Sequence, residues 1–392
     1  MKIVCVGGGP AGLYAALLLK RSEPGRQVQV FERDPEDTVR GWGVTFWDDL
    51  LAEMRDHDAE SADGVAQVAA RWTGLEVHVQ GRPPAVDPGF WGHSIARTAL
   101  TEVLTERARG LGVQITYGSE VSPDDVAGEA DLVVAADGAG SRFRQAHATE
   151  LGTTIDQGRN RFVWLATPRV FPAFRFAFAR PSQLPLGRDW VCCYAYAFNA
   201  SASTFVVELP VETFARLGLD GLPADASMAL LEQVFADQLD GQPLLVQPRT
   251  DGTVPWAGFP TVRNRTWHVG NIALMGDAAH TTHYSIGFGT KLALEDAMGL
   301  ADAINEEPDV SAALRRYGRR RRRGIAPAQR DAHFSQRWFE QAERYLVYDG
   351  EELAALLGRR RSPWLGRVPP AAVIAARRLV DRGRVVKRGR GR

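Results

Sequence analysis

The chain opens on Ile3-Val4-Cys5-Val6, a short β-branched run. Gly7-Gly8-Gly9-Pro10-Ala11-Gly12 follows at once, and then Leu13 to Lys20, which reads as helix. A strand, a glycine turn and a helix in this order leave few folds open, because Gly7, Gly9 and Gly12 stand at GxGxxG spacing. The first glycine makes the tight turn, the second lets a pyrophosphate approach the backbone, and the third lets helix and strand pack closely. With Pro10 and Ala11 the turn leads into a helix N-terminus, whose unpaired N–H groups and positive dipole end suit phosphates. Val28-Gln29-Val30-Phe31 reads as the next strand and ends at Glu32, 20 residues after Gly12. A carboxylate there takes ribose hydroxyls, with Arg33 beside it. The motif predicts an α/β dinucleotide-binding unit and does not itself separate NAD from FAD.

Two distant segments bear on that choice. Asp131-Leu132-Val133-Val134-Ala135-Ala136-Asp137-Gly138 reads as a buried strand ending in an Asp-Gly turn, with Arg142 nearby. Asn271-Ile272-Ala273-Leu274-Met275-Gly276-Asp277-Ala278-Ala279-His280 is a second strand, ending in Gly-Asp. Ser285-Ile286-Gly287-Phe288-Gly289 then forms a glycine-bearing loop, and a helix is expected from about Thr290 to Ile304.

With these three fingerprints in order, the chain resembles the group A flavoprotein aromatic hydroxylases, which have the p-hydroxybenzoate hydroxylase fold. The resemblance implies FAD. It gives Asp277, with Ala278, the ribityl chain; Gly287, Phe288, Gly289 and Thr290 the pyrimidine edge of the flavin; Asp137 the Asp-Gly turn; and Arg97, in His93-Ser94-Ile95-Ala96-Arg97, the neighbourhood of flavin and phosphates. A helix N-terminus at the pyrimidine edge suits the negative charge of reduced flavin.

The stretch His280 to Ala297 is similar to a narrower subgroup: the salicylyl-CoA 5-hydroxylases, the flavin half of 2-aminobenzoyl-CoA monooxygenase, and the tryptophan-pathway hydroxylases of violacein biosynthesis. Gly41-Trp42-Gly43-Val44 and Gly158-Arg159-Asn160-Arg161-Phe162-Val163-Trp164 agree with it, and Gly43 and Val44 join the expected flavin contacts. Phe259-Pro260-Thr261-Val262-Arg263-Asn264 and Lys291 match the acyl-CoA members better. Lys291 is expected either to stabilise the flavin anion or to point to solvent. Where the wider family has prolines, this chain has His283 and Tyr284; where the subgroup often has His-Ala-Tyr, it has Tyr194-Ala195-Tyr196.

The fold expected is α/β: a Rossmann-like FAD-binding domain in three pieces (1–70, 91–150 and 265–330), a sheet-rich substrate domain from 71–90 and 151–264, and a helical, basic C-terminal segment, 331–392. Phe174–Phe178 and Ser203–Glu208 alternate like strands, and a helix is expected from about Ser227 to Leu239.

Charge excludes some classes of function. The formal net charge is zero, which leaves no global field for nucleic acid or a membrane surface. Twelve basic residues against one acid from Arg359 to Arg392 make the tail an exception. Arg319 to Arg323 reads first as a solvated helix face, with CoA phosphates or an anionic partner as other readings. No recognised nucleic-acid motif accompanies the charge. Cys5, Cys192 and Cys193 fit neither a disulfide framework nor a zinc site. No apolar run reaches the ~18–20 residues of a membrane span, and no leader is read at Met1, so a cytoplasmic enzyme is expected.

The resemblance further implies that NAD(P)H reduces the FAD and that O2 then gives a flavin 4a-hydroperoxide, which oxygenates an electron-rich ring. A phenol or aniline fits, since its donor group activates the para position. No metal is called for. His283 and Tyr284 are the catalytic candidates, His283 as acceptor of a phenolic proton. Trp47, Trp164, Tyr194 and Tyr196 are candidate substrate contacts. An aromatic acyl-CoA is the first substrate reading, salicylyl-CoA in particular, as a 5-hydroxylase. An indole, tryptophan-derived or other specialised-metabolite aromatic is the second. A flavin halogenase or reductase is a third, against which the lack of a Trp-x-Trp-x-Ile-Pro motif counts. Oligomeric state, and NADH against NADPH, stay open.

Overall fold

The structure is a computed structural model of the chain, and it describes residues 1–38, 41–126, 128–184, 189–362, 364 and 368–376. Two sheets organise it. The first has six strands in the order His268–Val269, Ile272–Leu274, Leu132–Ala135, Lys2–Val6, Gln27–Phe31, Gln114–Thr116. All its pairings are parallel except the edge pair His268–Val269 with Ile272–Leu274. Parallel strands need crossovers that cover the faces, so the central strands read as continuous apolar runs; Leu132–Ala135 is buried at every position.

Helix Pro10–Ser22 starts directly after Gly9, with proline in its first turn, where the missing N–H costs nothing. Its Leu13–Leu19 stretch is wholly buried and packs in one core with helix Gly289–Glu306.

The second sheet has eight strands in the order Ala257–Arg263, Thr154–Thr167, Ser203–Leu209, Val191–Ala197, Phe174–Ala179, Ala70–Val79, Ala85–Ala96, Gly43–Phe46. It is antiparallel apart from the pairing of Ala70–Val79 with Phe174–Ala179. Period-two alternation sorts its side chains. Val163, Leu165, Cys193, Ala195, Phe205 and Val207 face helix Ala224–Val234. Phe176, Phe178, Cys192, Tyr194 and Val206 face the opposite way, against Trp338, Phe339, Leu353, Leu356 and Leu357.

Some elements differ from the sequence expectation. The helix expected at Ser227–Leu239 is two, Ala224–Val234 and Ala236–Leu239, broken at Phe235. Gly43–Phe46 and the far end of Ala85–Ala96 belong to the second sheet, although they fall in segments assigned to the FAD-binding part. Helix Val310–Phe339 runs unbroken through residue 330, where a boundary had been expected. Of the basic tail, residues 377–392 lie outside the described residues. Among the described residues, no helix is long and apolar enough to cross a membrane. The three cysteines are free and buried.

Candidate active site

The glycine turn is built from contacts that admit no side chain. A Cβ on Gly7, which has φ +111°, would overlap the Ala136 carbonyl, and one on Gly12 would overlap the Gly7 carbonyl. Gly9 differs. A Cβ there would meet only the Arg97 guanidinium, at 3.9 Å, so its backbone is open to a ligand. The Glu32 carboxylate accepts from the N–H of Gly8 at 2.6 Å and of Asp34 at 2.9 Å. Gly8, Gly9, Glu32, Arg97 and Thr101 line a cleft of about 360 Å³. Arg33 is exposed and lies 4.0 Å from Asp34.

The distant segments converge on this turn. A Cβ at Gly276 would stand 3.2 Å from that of Ala11, so the Gly-Asp strand end packs on the start of the first helix. Asp277 is exposed and within electrostatic reach of Arg97. The protein around it raises its carboxyl pKa, while His280, Arg97 and Arg144 pull the other way. Arg144 donates to the carbonyls of Ala278 at 3.0 Å and Asp277 at 3.4 Å, and also to that of Ala139, tying the Asp-Gly turn to the Gly-Asp loop. Asp137 accepts from the Arg142 N–H at 2.8 Å, and its other oxygen is buried without a partner.

Behind the Gly-Asp loop lies a network that sequence reasoning missed. Asp296 is fully buried and accepts from the Gly276 N–H at 3.1 Å, His280 Nε2 at 2.7 Å and Arg321 Nε at 2.7 Å. Burial raises its carboxyl pKa, but His280 and Arg321 more than offset this and hold it below the ordinary value. Arg321 is thus set apart from its run: Arg319, Arg320, Arg322 and Arg323 are exposed.

The second glycine bend packs on Thr45 and Trp47. Gly287 has φ +68°, and a Cβ there would stand 2.7 Å from Thr45 Oγ1 and 3.2 Å from the Trp47 ring. Trp47 meets Phe288 edge-on at 5.5 Å and donates from Nε1 to the Trp91 carbonyl at 3.1 Å. Gly289 begins helix Gly289–Glu306 with no atom within 4 Å of its Cβ position, and Thr290 follows in the first turn. Gly43 is closed in by Phe198, and its carbonyl accepts from Tyr196 at 2.8 Å and Thr204 at 3.0 Å. Val44 pairs with Ile95 across the edge of the second sheet.

Lys291 has a different setting from either expected. Its ammonium is surrounded by Asp49 at 2.9 Å, Glu295 at 2.9 Å and Glu53 at 3.6 Å. Burial lowers its pKa and these carboxylates raise it, with a net upward shift. Three acids thus share its charge.

Of the aromatic candidates, Trp164, Tyr194 and Tyr196 lie on strands of the second sheet, while His283 and Tyr284 lie on the turn that leads into this bend. Tyr284 packs against Phe162 at 4.7 Å, Tyr194 at 5.5 Å and Phe259 at 5.7 Å. The Trp164 ring closes on Gly41, and its carbonyl accepts from Trp42 Nε1 at 3.1 Å. His283 is 3% exposed, with Nδ1 2.7 Å from Ser285 Oγ. Burial first, then Arg360, lowers its pKa to about 3, so the ring is neutral near pH 7. Glu208, unremarked in the sequence, accepts from Asn160 Nδ2 at 2.7 Å and from the Tyr194 hydroxyl.

The residues fit FAD. An open backbone at Gly9 beside a guanidinium suits a pyrophosphate, Glu32 suits ribose, an exposed Asp277 suits a polyol, and the Gly287–Gly289 bend opens a helix N-terminus. Together they form a set of groups that could hold a flavin.

Comparison with known proteins agrees. Residues 5–43 match the NAD(P)-binding Rossmann-like domain and residues 243–331 the FAD binding domain. The chain is 36% identical over 340 residues to 3-hydroxy-4-methyl-anthranilyl-[aryl-carrier protein] 5-monooxygenase of Streptosporangium sibiricum, covering 86% of this chain and 89% of that one. It is 37% identical over 355 residues to salicyloyl-CoA 5-hydroxylase of a Streptomyces species, covering 88% of this chain but 66% of that relative's length. Among solved structures, a tetrameric 2-methyl-3-hydroxypyridine-5-carboxylic acid oxygenase shares the fold, with a TM-score of 0.66 at 22% identity over 95% of this chain and 97% of that one. The chain belongs to the FAD-dependent aromatic monooxygenases, and it is an enzyme that uses FAD, NAD(P)H and O2.

Proposed function

We propose that this enzyme hydroxylates a phenol- or aniline-type ring presented as an acyl thioester, with salicyloyl-CoA as the first candidate. The carrying observation is that the Gly7–Gly12 turn, Arg97, Asp277 and the Gly287–Gly289 bend converge beside a sheet face dense in aromatic side chains. The two curated relatives support the ring class, since their names specify a salicyloyl group on CoA and an anthranilyl group on a carrier protein.

Bound FAD supplies reduction by NAD(P)H and activation of O2 for transfer of one oxygen atom. The chain's residues do the rest. Gly9 and Arg97 bind phosphates, and Glu32 and Asp277 hold the sugar and polyol hydroxyls. Tyr194, Tyr284, Phe176 and Phe339 form an apolar wall that excludes water, which protects a reactive oxidant from unproductive decay. Trp47 and Phe288 border the bend and limit how a ring can lie, which holds its carbon in register for attack.

The test is NADH oxidation by the purified, FAD-loaded enzyme with salicyloyl-CoA or salicylate, matched to product by mass spectrometry. Coupled ring hydroxylation of the thioester is expected. Coupled turnover of the free acid alone, or hydrogen peroxide as the sole product, would overturn the reading.

A further inference from the structure

A guanidinium keeps its charge in a protein, and taking it out of water is costly unless something answers that charge. Two arginines of the C-terminal segment meet this condition differently. Helix Gly350–Leu357 packs on the second sheet through Leu353, Leu356 and Leu357, and the residues after it reach the Ser285–Gly289 segment. Arg360 anchors this turn. It donates from Nη2 to the Ser285 carbonyl at 2.7 Å, from Nε to Ser335 Oγ at 2.9 Å and from Nη1 to the Leu357 carbonyl at 2.8 Å. Its guanidinium also stands 5.5 Å from the centre of the Phe176 ring and 5.9 Å from that of Phe339.

Arg361, the next residue, has no such set of partners. Its guanidinium stands over the Phe288 ring, 5.4 Å from the centre, and Phe288 is the residue between the two bend glycines. Among the described residues Arg361 makes no hydrogen bond and no ion pair, and it stays partly exposed. Asp331 is the acid whose charge acts on it, and that acid lies 3.7 Å from Arg330. Burial first, and then Arg361, lowers the Arg360 pKa to about 9; burial lowers that of Arg361, against the pull of Asp331. The pair therefore carries two neighbouring positive charges with little acid to answer them. Lys291, three residues beyond Phe288, is the opposite case, with three acids around one ammonium.

We propose that Arg361, held in place by Arg360, supplies the positive charge that the flavin bend offers to the pyrimidine edge of reduced FAD. Arg360 is the positioning residue of the two. The inference goes beyond the substrate reading and stands whichever ring the enzyme hydroxylates. Hydride transfer from NAD(P)H adds two electrons and one proton to the flavin and leaves NAD(P)+ as the oxidised product. The flavin thereby gains one negative charge, whereas its oxidised form is neutral. A cation fixed at that edge favours the reduced form over the oxidised one. The start of helix Gly289–Glu306 brings a partial charge to the same place, and Arg361 adds a whole one. The Phe288 face holds the guanidinium by a cation–π contact and keeps water from one side of it, which strengthens its field.

The test is an anaerobic reductive titration of the FAD-loaded enzyme against a reference dye. In Arg361→Gln the ratio of reduced to oxidised flavin at a fixed solution potential should fall on the order of tenfold, which is ~30 mV for a two-electron couple. Arg361→Lys keeps the charge and should restore most of the ratio. Asp331→Asn removes the acid that acts on Arg361 and should move the ratio the other way, toward reduced flavin. Arg323→Gln removes the same charge at an exposed site and should leave the ratio unchanged. A merely structural role for Arg361 would lower FAD content or the melting temperature and would give Asp331→Asn no opposite shift. An unchanged ratio in Arg361→Gln with FAD still bound overturns the proposal. So does an unchanged ratio accompanied by a raised KM for salicyloyl-CoA, which would assign the charge to a substrate anion. The expected shifts in an enzyme that turns over only salicylate would keep this proposal and overturn the thioester reading alone.

Discussion

The two walls of the cleft are made of different material. On the nucleotide side the backbone forms the site: Gly7, Gly12 and Gly276 let chain segments touch, Gly9 leaves its backbone open, and what remains accessible is N–H groups, a helix end and a few carboxylates. On the aromatic side the site is formed by side chains from strands, a turn and a helix, with residues such as Tyr194 and Glu208 meeting between neighbouring strands. A backbone site tolerates almost no change at a few positions, because only glycine fits them. A side-chain site tolerates change at most positions and can be tuned one group at a time. The first wall accounts for a shared cofactor, and the second is where a substrate preference can be set.

Two glycines test that contrast with the largest expected effect. In Gly12→Ala the added methyl overlaps the Gly7 carbonyl, so the protein should lose about 3 kcal/mol of stability and all bound flavin. In Gly9→Ala the methyl meets only Arg97, so the flavin-free protein should melt as the wild type does while FAD affinity falls steeply. Thermal melts with and without FAD separate the two. Equal destabilisation of both flavin-free variants would show that the turn is not divided into a packing glycine and a ligand glycine.

On the aromatic side the corresponding test is stability against pH, through two buried groups shifted in opposite directions. Glu208 is raised to about 7 from an unfolded value near ~4.3. Over that window the folded state holds the extra proton, so this group's contribution is full at low pH and is lost as pH rises toward 7. His283 is lowered to about 3 from near ~6.5. Over that window the unfolded state holds the extra proton, so its contribution is present above about 6.5 and is lost as pH falls toward 3. Between about pH 4.5 and 6.5 the two slopes oppose each other. Glu208→Gln should leave the rising slope and His283→Gln the falling one, a difference of about 2 kcal/mol per pH unit. Urea unfolding at three pH values reads it, and parallel slopes would break the picture of two buried, oppositely shifted groups.

What the sequence made legible follows the same division. Gly7, Gly9 and Gly12 lie within six residues, and Asp277 and Gly287 to Gly289 close a strand and open a helix, so local spacing carried the flavin wall. Glu208 was invisible because its partners, Asn160 and Tyr194, are 48 and 14 positions away and are joined to it only by the pairing of strands. Asp296 and Arg321 were hidden for a related reason. On separate helices they look like ordinary surface charges, and only the packing of Gly289–Glu306 against Val310–Phe339 brings them to 2.7 Å. The alternation of Phe174–Phe178 did signal a strand, but alternation does not say which face meets a ligand.

The smallest expected effect concerns Lys291, for which the sequence left open a role toward the cofactor's charge and a solvent-facing one. Lys291 sits at the start of the helix that borders the bend, yet Asp49, Glu53 and Glu295 enclose its ammonium. Lys291→Gln should therefore cost about 1 kcal/mol of stability, as three acids lose a shared partner at a half-open site. The flavin reduction potential should barely move, because the charge removed was already screened by its own neighbours. Arg97 is the contrast: it lies beside Gly9 and within reach of Asp277. Arg97→Gln should weaken FAD retention far more while disturbing the flavin-free fold less. A large potential shift in Lys291→Gln would mean that its charge reaches the cofactor in spite of its partners, and the clean separation of a backbone wall from a side-chain wall would fail at that point.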